Sequence, residues 1–265
     1  MQRKLLVVTL TGLLLLFATW SVSAQKKQEN PKKMYIVHQD IVKPSKVAEY
    51  EKAAKGWHDA AVKNAITELA YVLVQSDEMV YSYVSEVPNM AALDDNGPMD
   101  ALKQKMGEAA FQAMFDAYDG TYTSHKNFMI TYRPDLSYLP EKQEATAEMN
   151  FRHWDFVHFN PDKEKEANAI SKEWVDLFAS KQIQLGFRTY TGGLGTETPL
   201  TIWVSWSKNA ADFYAAMEQI NKTLGDEGTD LWNRTLAITD KYEQVNGRIR
   251  PDLSYQPAAE ELSAK

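Results

Sequence analysis

The hexapeptide RPDLSY occurs twice in this chain, at Arg133 to Tyr138 and again at Arg250 to Tyr255. The two copies lie 117 positions apart (250 minus 133), and the same offset aligns further identical residues upstream. These are Pro44 with Pro161, Lys46 with Lys163, Glu49 with Glu166, Lys55 with Lys172, Trp57 with Trp174, Asp59 with Asp176 and Ile66 with Ile183. Matches at both ends of a domain-length period predict a duplicated domain. We therefore expect two tandem modules, residues 34–140 and 151–257, with a linker at 141–150 and a polar tail at 258–265.

Each module shows the same order of secondary-structure signals. The segments MYIVHQDIV (34–42) and FRHWDFVHF (151–159) are rich in β-branched and aromatic residues and stop close to a proline, as strands do. An amphipathic helix follows in each module, at 45–64 and 162–181. A two-stranded hairpin, a second helical region (109–118 in one module and 210–224 in the other) and a short last strand complete the module. This β-α-β-β-α-β order is typical of ferredoxin-like domains and predicts an α+β protein.

The stretch beginning YIVHQDIVKPSKVAEYE (35–51) resembles the dimeric α/β-barrel superfamily, which includes antibiotic-biosynthesis-monooxygenase-like, NIPSNAP-like and EthD-like domains. The resemblance covers nearly the whole chain after residue 34. It lies in the order of the elements and in their residue patterns, and not in a diagnostic motif. Members of that superfamily usually pair two such domains, sheet face to sheet face. The resemblance therefore implies that the two ferredoxin-like modules pair with each other as an intramolecular pseudo-dimeric α/β barrel. A higher oligomer is left open.

The first residues have the pattern of a secretory signal peptide. A short cationic region, MQRK, precedes an apolar stretch at 5–20 that is too short for a comfortable membrane span. Val22 and Ala24 are the small residues expected before a cleavage site. We expect residues 1–24 to be removed before Gln25, leaving no stable membrane anchor and an exported protein, periplasmic or secreted.

Composition excludes several classes of function. The formal net charge of −7 argues against nucleic acid as a partner, because such binding needs lysine and arginine at phosphates. The chain has no cysteine, which excludes thiol nucleophiles, thiolate metal sites and disulfides. No catalytic signature such as G-x-S-x-G, a P-loop or H-E-x-x-H is present. No metal site is predicted, and the cofactor is left unknown.

The repeated hexapeptide has a structural interpretation. Arg-Pro ends a strand, because proline lacks an N–H donor and forces the preceding residue into an extended conformation. Asp135 and Asp252 are expected to cap the turn, and Leu-Ser-Tyr to pack back on its own module. The alternative assigns Arg133 and Arg250 to an anionic ligand. The segment at 94–108 has no counterpart in the second module and is interpreted as a loop or lid.

The two faces of the third strands suggest where a ligand would bind. Aliphatic positions on one face, among them Val84 and Val204, are expected to pack on helices. The opposite face carries Tyr81, Tyr83 and Ser85 in one module and Thr201, Trp203 and Ser205 in the other. We expect this face to line the barrel interior, with Tyr71, Arg188 and Tyr190 as neighbours. An aromatic cavity with few polar groups is typical of small-molecule sites; the alternative is that these rings only fill a closed barrel.

Each first strand also carries a His-x-Asp pair. His38 and Asp40 lie on one strand face, and so do His153 and Asp155, so each carboxylate could orient an imidazole. The pairs are 115 positions apart (153 minus 38), so His38 aligns with Asp155. The predicted ligand-binding residues are therefore His38, Asp40, Tyr71, Tyr83, His153, Asp155, Arg188 and Trp203, while catalytic residues stay unknown.

Two functional classes follow from these observations. The first is an exported protein that binds a small apolar or aromatic molecule, or that serves only in assembly. The second, implied by the resemblance, is a cofactor-independent monooxygenase-like or haem-handling enzyme. No residue motif of such enzymes can be matched here, so no catalytic residue is carried over.

Overall fold

The structure, a computed structural model, describes residues 32–94, 97–140, 148–197 and 199–257. The predicted signal peptide (1–24), most of the linker and the tail (258–265) lie outside the described residues. Within the described part of the chain, no helix is both long enough and apolar enough to cross a bilayer.

The described residues form eight strands and five α-helices in an α+β arrangement. The strands are β1 (Met34–Val42), β2 (Val72–Ser76), β3 (Val80–Val87), β4 (Tyr122–Tyr132), β5 (Phe151–Phe159), β6 (Phe187–Gly192), β7 (Leu200–Ser207) and β8 (Thr239–Ile249). The helices are α1 (Val47–Lys63), α2 (Gly97–Met106), α3 (Glu108–Asp116), α4 (Glu164–Ser180) and α5 (Ala210–Ala237). The segment interpreted as a loop or lid is thus largely the helix α2, whose Leu102 is fully buried.

All eight strands close into one antiparallel barrel in the order β1-β3-β2-β8-β5-β7-β6-β4. The first four strands are neighbours in the order β4-β1-β3-β2, and the last four in the order β8-β5-β7-β6. The pairs β2–β8 and β4–β6 join the two groups. The predicted α+β class and barrel architecture are confirmed.

Proline ends the first strand of each half. β1 and β5 both run into a 3-10 turn that begins at Pro44 or Pro161. Proline suits this position because its fixed φ favours a helical turn and its missing N–H would have had no partner there. The helices α1 and α4 follow directly and pack against the outside of the barrel.

The barrel interior is filled mainly by aliphatic side chains. Val37, Ile130, Leu200 and Ile202 are its buried centre. Around them lie Tyr35, Val84, Phe128, Trp154, Phe156, Tyr190 and Val204, and every member of this cluster comes from a strand. An eight-stranded barrel is just wide enough for side chains to fill it, so its interior is core.

The predicted orientation of the β3 and β7 faces was wrong. Val84 and Val204 point into the barrel, whereas Tyr81, Tyr83 and Trp203 pack against the helices. Alternation along a strand shows which residues share a face, but it does not show which face turns inward. The large rings of β3 and β7 occupy the wider space between sheet and helices.

Each RPDLSY copy is hydrogen-bonded to the second strand of the other half. The Arg133 N–H donates to Thr189 O at 2.8 Å, and the Arg250 N–H donates to Leu73 O at 2.9 Å. The hydroxyls of Ser137 and Ser254 accept from the N–H groups of Thr189 and Leu73, both at 2.8 Å. The copies therefore fasten the two halves to each other reciprocally.

The tyrosines of the hexapeptides make equivalent contacts. The Tyr138 hydroxyl donates to Ile183 O at 2.8 Å, and the Tyr255 hydroxyl donates to Ile66 O at 3.0 Å. Tyr138 packs on Phe187, which belongs to the other half. The expected turn is present as a 3-10 turn at Pro134–Leu136, but the expectation that the hexapeptide packs on its own module was wrong.

The arginine and aspartate of each hexapeptide form an ion pair. Arg133 donates to both oxygens of Asp135, at 2.9 and 2.7 Å. Arg250 donates to both oxygens of Asp252 at 3.0 and 2.8 Å and also contacts Glu51. Both arginines are satisfied by protein carboxylates, so the structural interpretation is favoured over an anion site. The expected capping of the turn by aspartate is replaced by this pairing.

Candidate functional site

A cavity of about 630 Å³ lies between the outer face of the sheet in the second half and its helices. Strands β5, β7 and β8 form its floor, and α4 and α5 form its roof. Its apolar walls include Trp174, Phe178, Trp203, Phe213, Leu224 and Trp232, while His153, Asp155, Tyr242 and Gln244 supply polar groups at the floor. Large apolar walls with a few convergent polar groups are typical of small-molecule sites.

The shape of α5 keeps this space open. The helix begins at Asn209, whose side chain accepts from the Asp212 N–H at 2.8 Å as an N-cap. It is kinked at Gly225, which has φ 54° and ψ −138°, a conformation that essentially only glycine adopts. Gly225 and Gly228 both line the cavity. Sequence reasoning placed the helix only as far as Leu224 and missed its continuation over the cavity.

His153 is held on three sides at the floor of the cavity. Its Nδ1 lies 2.7 Å from the Asn246 side-chain oxygen, and its Nε2 lies 3.3 Å from Asp155 Oδ1. Its ring stacks on Phe213, with centroids 4.6 Å apart and an interplanar angle of 27°. The residue is only 4% exposed, so its orientation is fixed by packing as well as by hydrogen bonds.

Asp155 is the acceptor at the centre of this network. The Tyr242 hydroxyl donates to its Oδ1 at 2.5 Å, and the Gln244 amide donates to the same oxygen at 3.0 Å. The carboxylate side chain is 21% exposed. Asp155 is therefore the ionised group that a ligand in the cavity can approach.

The two ionisable groups stabilise each other in their charged forms. Burial alone would raise the pKa of Asp155, but the hydrogen bond and charge of His153, with the bonds from Tyr242 and Gln244, lower it. Burial alone would lower the pKa of His153, but the hydrogen bond and charge of Asp155, with the bond from Asn246, raise it above 6.5. Between the lowered pKa of Asp155 and the raised pKa of His153, the pair is an imidazolium and a carboxylate.

This arrangement suits binding better than proton abstraction. A general base needs a free lone pair and a pKa near the working pH. Both ring nitrogens of His153 are engaged, and the pKa of Asp155 is lowered because it accepts several hydrogen bonds. The network can orient a ligand without exchanging a proton with it.

The corresponding region of the first half is filled by tyrosines. Tyr50 and Tyr81 are fully buried, with ring centroids 4.7 Å apart. The Tyr50 hydroxyl donates to Asp40 Oδ2 at 2.7 Å, and the Tyr83 and Tyr118 hydroxyls lie 3.0 Å apart. The space that is a cavity in the second half is packed core here.

The structure separates the predicted site residues into three groups. His153, Asp155 and Trp203 meet at the cavity. His38, Asp40, Tyr71 and Tyr83 belong to the tyrosine-rich region of the first half. Arg188 points into the barrel, where it lies over the Trp206 ring. Of the predicted site residues that were expected in the barrel interior (Tyr71, Tyr83, Arg188 and Trp203), only Arg188 lies there, because the faces of β3 and β7 were assigned the wrong way round.

The two His-x-Asp pairs are near-equivalents, as their spacing predicted. In the barrel register, His38 is paired with Asn127 and Asp155 with Gln244, so both partners are displaced by the same 117 positions. His38 therefore occupies the place of Asp155, and both pairs face the helices. The hydrogen bond from Asp40 raises the pKa of His38 above its ordinary value, although burial opposes this.

Several cavity residues were missed by sequence reasoning. Phe213 lies on the first part of α5, which was predicted as a helix but not as a cavity wall. Trp232 lies on the second part of α5, which was not predicted. Tyr242 and Gln244 lie on β8, which was expected to be short and has 11 residues. The available signal was the alternation of Tyr242, Gln244 and Asn246 on one strand face, opposite the His-x-Asp strand.

A haem held by histidine does not fit the groups at this site. His153 is the only histidine among the described residues that line the cavity, and it could ligate iron only through one of its ring nitrogens. Both nitrogens are already engaged, and the ring is stacked on Phe213. The described residues also contain no cluster of three or more His, Asp or Glu side chains suited to a metal ion.

Comparisons with known proteins show the fold but no closer relationship. No protein-family model matches the sequence, and no curated protein matches it. An anthrone oxidase-like protein superposes with a TM-score of 0.58 at 12% identity, covering 84% of this chain and 93% of its own. A provisionally assigned monooxygenase from Fusobacterium nucleatum gives 0.51 at 13% identity, covering 82% and 92%. Another from Lactobacillus acidophilus gives 0.50 at 10% identity, covering 83% and 94%. The chain therefore shares its fold, a closed eight-stranded barrel with helices packed on its outside, with these proteins.

Proposed function

We propose that this protein binds a small, largely apolar aromatic molecule in the cavity between the second-half sheet and the helices α4 and α5. One observation carries the proposal: a cavity of about 630 Å³ is walled by Trp174, Trp203 and Trp232 and has a polar cluster at its floor. Aromatic walls favour a flat ligand through stacking and edge contacts.

The polar groups suggest what the ligand carries. Asp155 offers a carboxylate to a ligand hydroxyl or N–H group. The Trp203 Nε1–H is buried and has no hydrogen-bond partner among the described residues, so a ligand carbonyl or ether oxygen could satisfy it. A hydroxylated aromatic ketone has both kinds of group.

A second candidate is a cofactor-independent monooxygenase. Its support is the fold shared with an anthrone oxidase-like protein and with two provisionally assigned monooxygenases. Binding is the favoured function because the His153–Asp155 pair, with its nitrogens engaged and a lowered carboxylate pKa, is a poor proton acceptor. Enzymatic turnover would require a ligand to displace one of these hydrogen bonds.

Ligand retention and oxygen uptake distinguish the two candidates. The purified protein would be incubated with a hydroxyanthrone and a naphthol, followed by native mass spectrometry and an oxygen electrode. Retention of an unchanged aromatic molecule supports binding, whereas oxygen uptake coupled to its conversion supports the monooxygenase. Failure of the protein to retain or convert either probe would contradict both.

A matched pair of substitutions tests the location. Trp203 lines the cavity, and Trp206 lies on the barrel side of the same strand. We expect Trp203→Phe to weaken binding by about tenfold, since it removes stacking surface and a donor. Trp206→Phe should leave binding unchanged. Equal affinities in the two variants would show that the ligand lies elsewhere.

We infer that the chain is an internally duplicated pseudo-dimer. The support is the shared 117-residue offset, the reciprocal hexapeptide contacts, and a register shift at Ile41/Val42 in β1 that has its counterpart at His158/Phe159 in β5. Duplication would explain why the layer between sheet and helices holds a cavity in the second half and buried tyrosines in the first, because each copy was free to change on its own.

We also propose that the protein is exported after removal of residues 1–24. The support is the cationic, apolar and small-residue pattern of the first residues. Intact mass measurement of the exported protein should give a chain beginning at Gln25. Mature protein recovered from a membrane fraction with Met1 intact would contradict this proposal.

A further inference from the structure

One mouth of the barrel carries two arginines away from the cavity described above. Met34 at the start of β1 is paired with the ends of β3 and β4, and Phe151 at the start of β5 is paired with the ends of β7 and β8. These termini therefore surround the same opening. Arg152 on β5 and Arg188 on β6 lie in the strand positions that point inward there.

Arg152 is held by the backbone at this mouth. Its Nη1 donates to Met149 O at 2.6 Å and to Phe151 O at 2.8 Å. Burial, and then the neighbouring charge of Arg188, lower the pKa of Arg152 to about 10. The guanidinium is thus fixed in position beside a like charge.

Arg188 is held at the same mouth by the Trp206 ring. Its guanidinium carbon is 5.3 Å from the Trp206 ring centroid, a cation–π contact that orients the side chain. It also bonds to the Tyr190 hydroxyl, and its charge reaches the Tyr35 hydroxyl. Arg188 is solvent-exposed as a residue, so a solute can reach this group.

Neither arginine has a carboxylate partner in the part of the chain that the structure describes. Arg133, Arg234 and Arg250 all form ion pairs within 4.0 Å, whereas Arg152 and Arg188 form none. Two neighbouring guanidiniums without a counter-charge repel each other, and a bound anion would remove that cost.

Trp206 adds a buried donor at the same place. The residue is 5% exposed, and its Nε1–H has no hydrogen-bond partner among the described residues. Buried polar groups are nearly always satisfied, so an unpaired donor beside two cations suggests an acceptor supplied from outside the chain.

The first half lacks this positive excess. In the barrel register, Tyr35 of the first half occupies the place of Arg152, and its partner Glu86 occupies the place of Trp206. Glu86 is neutralised by Lys33, whose ammonium lies 2.8 Å from its carboxylate. The arrangement at Arg152 and Arg188 is therefore particular to the second half and does not follow from the fold.

We propose that this mouth of the barrel binds a small oxyanion, a phosphate or carboxylate group, between Arg152 and Arg188. Arg152 supplies a fixed charge, Arg188 closes over the anion from the solvent side, and Tyr190 positions Arg188. The site lies on the inner face of the sheet, so its occupancy is independent of the ligand proposed for the cavity on the outer face.

Titration of the full protein with inorganic phosphate and with acetate tests the proposal. Binding would be measured by calorimetry and by the melting temperature, at constant ionic strength against chloride. We expect saturable binding of at least one anion to the wild type. The anion that binds more tightly shows whether the site prefers a phosphate or a carboxylate group. Arg188→Gln should weaken that binding by about tenfold or more, because a charge-assisted bond is lost.

Arg248→Gln is the matched control. Arg248 is an exposed arginine without an ion pair in the described residues, but it lies on the helix-facing side and bonds to Gln75. The Arg248→Gln variant loses the same charge as Arg188→Gln and should bind the anion as tightly as the wild type does. In chloride alone, Arg188→Gln should melt no lower than the wild type. Unchanged anion affinity in Arg188→Gln, or no binding beyond the chloride reference, would overturn the proposal.

Discussion

His153 and Asp155 form the single ion pair at the cavity floor, and their environment determines its pH dependence. The pKa of His153 is raised, so its stabilising charge is fully present below the unfolded value of about 6.5 and is lost as pH rises through the folded pKa. The pKa of Asp155 is lowered, so its contribution is present above about 3.9 and is lost as pH falls through the folded pKa. Both contributions are complete between those two unfolded values.

The first prediction concerns His153→Gln. We expect the free energy of unfolding to fall by about 1–3 kcal/mol near pH 5 to 6, since a buried charged hydrogen bond is lost. The difference from the wild type should shrink as pH rises through the folded pKa of His153. Chemical denaturation at several pH values measures this. His125→Gln, at an exposed position, is the control and should show no such profile; a pH-independent loss in His153→Gln would contradict the assigned charge.

The second prediction uses two buried tyrosines that face each other across one β-bridge. Tyr255 donates to Ile66 O at 3.0 Å, whereas the Tyr71 hydroxyl has no hydrogen-bond partner among the described residues. Tyr255→Phe should cost about 1 kcal/mol because it leaves a buried carbonyl unpaired. Tyr71→Phe should leave the stability unchanged or raise it, since it removes a buried hydroxyl that makes no hydrogen bond within the described residues. Thermal denaturation of the two variants compares them, and a larger loss for Tyr71→Phe would contradict this account.

At the scale of elements, α5 shows how one helix creates a site. Its kink lies at Gly225, and the cavity-lining residues Phe213 and Trp232 are on either side of that point. At Gly228, an added Cβ would lie 2.5 Å from Leu224 Cβ. The helix can therefore bend over the cavity only with glycine at these positions.

The third prediction compares two helical glycines. Gly225→Ala forces a side chain into a conformation that suits glycine, and we expect a loss of about 1–3 kcal/mol together with weaker aromatic binding. Gly56→Ala is the matched control in α1, where an added Cβ meets nothing within 4 Å, so a gain of about 0.5–1 kcal/mol is expected. Urea denaturation measures both changes. Equal effects in the two variants would show that the kink is not strained.

At the scale of the whole molecule, neither half can bury its own sheet. The four strands of one half leave one edge of β2 and one edge of β4 unpaired, and the same holds for β6 and β8 in the other half. The sheet is apolar on both faces, with aromatic rings facing the helices on the outside and an apolar core inside the barrel. Unpaired edges and an uncovered apolar face favour association over a stable monomer.

The fourth prediction is that the halves do not fold alone as monomers. Residues 32–140 and 148–257, expressed separately, should bind a hydrophobic dye or self-associate, whereas the full chain should unfold in one transition. Size-exclusion chromatography and calorimetry measure this. Two halves that are each monomeric, cooperatively folded and free of exposed apolar surface would contradict the prediction.

Local sequence patterns were enough to predict the order of elements and the residues that share a strand face. Proline after β1 and β5 marked the strand ends, and period-two and helical patterns separated strands from helices, because these signals act locally. The 115-residue spacing of the histidines predicted that His38 would occupy the place of Asp155, and the strand register agrees.

Packing between distant segments sets which sheet face turns inward and where the cavity between sheet and helices lies. Alternation along β3 and β7 is the same whichever face is buried in the barrel, so Tyr83 and Trp203 could not be placed from the sequence. The cavity exists because α5 bends at Gly225 over Trp203, whereas Tyr50 and Tyr118 fill the same layer in the first half. Both outcomes depend on the distance between sheet and helices, which is set by packing between segments far apart in the chain.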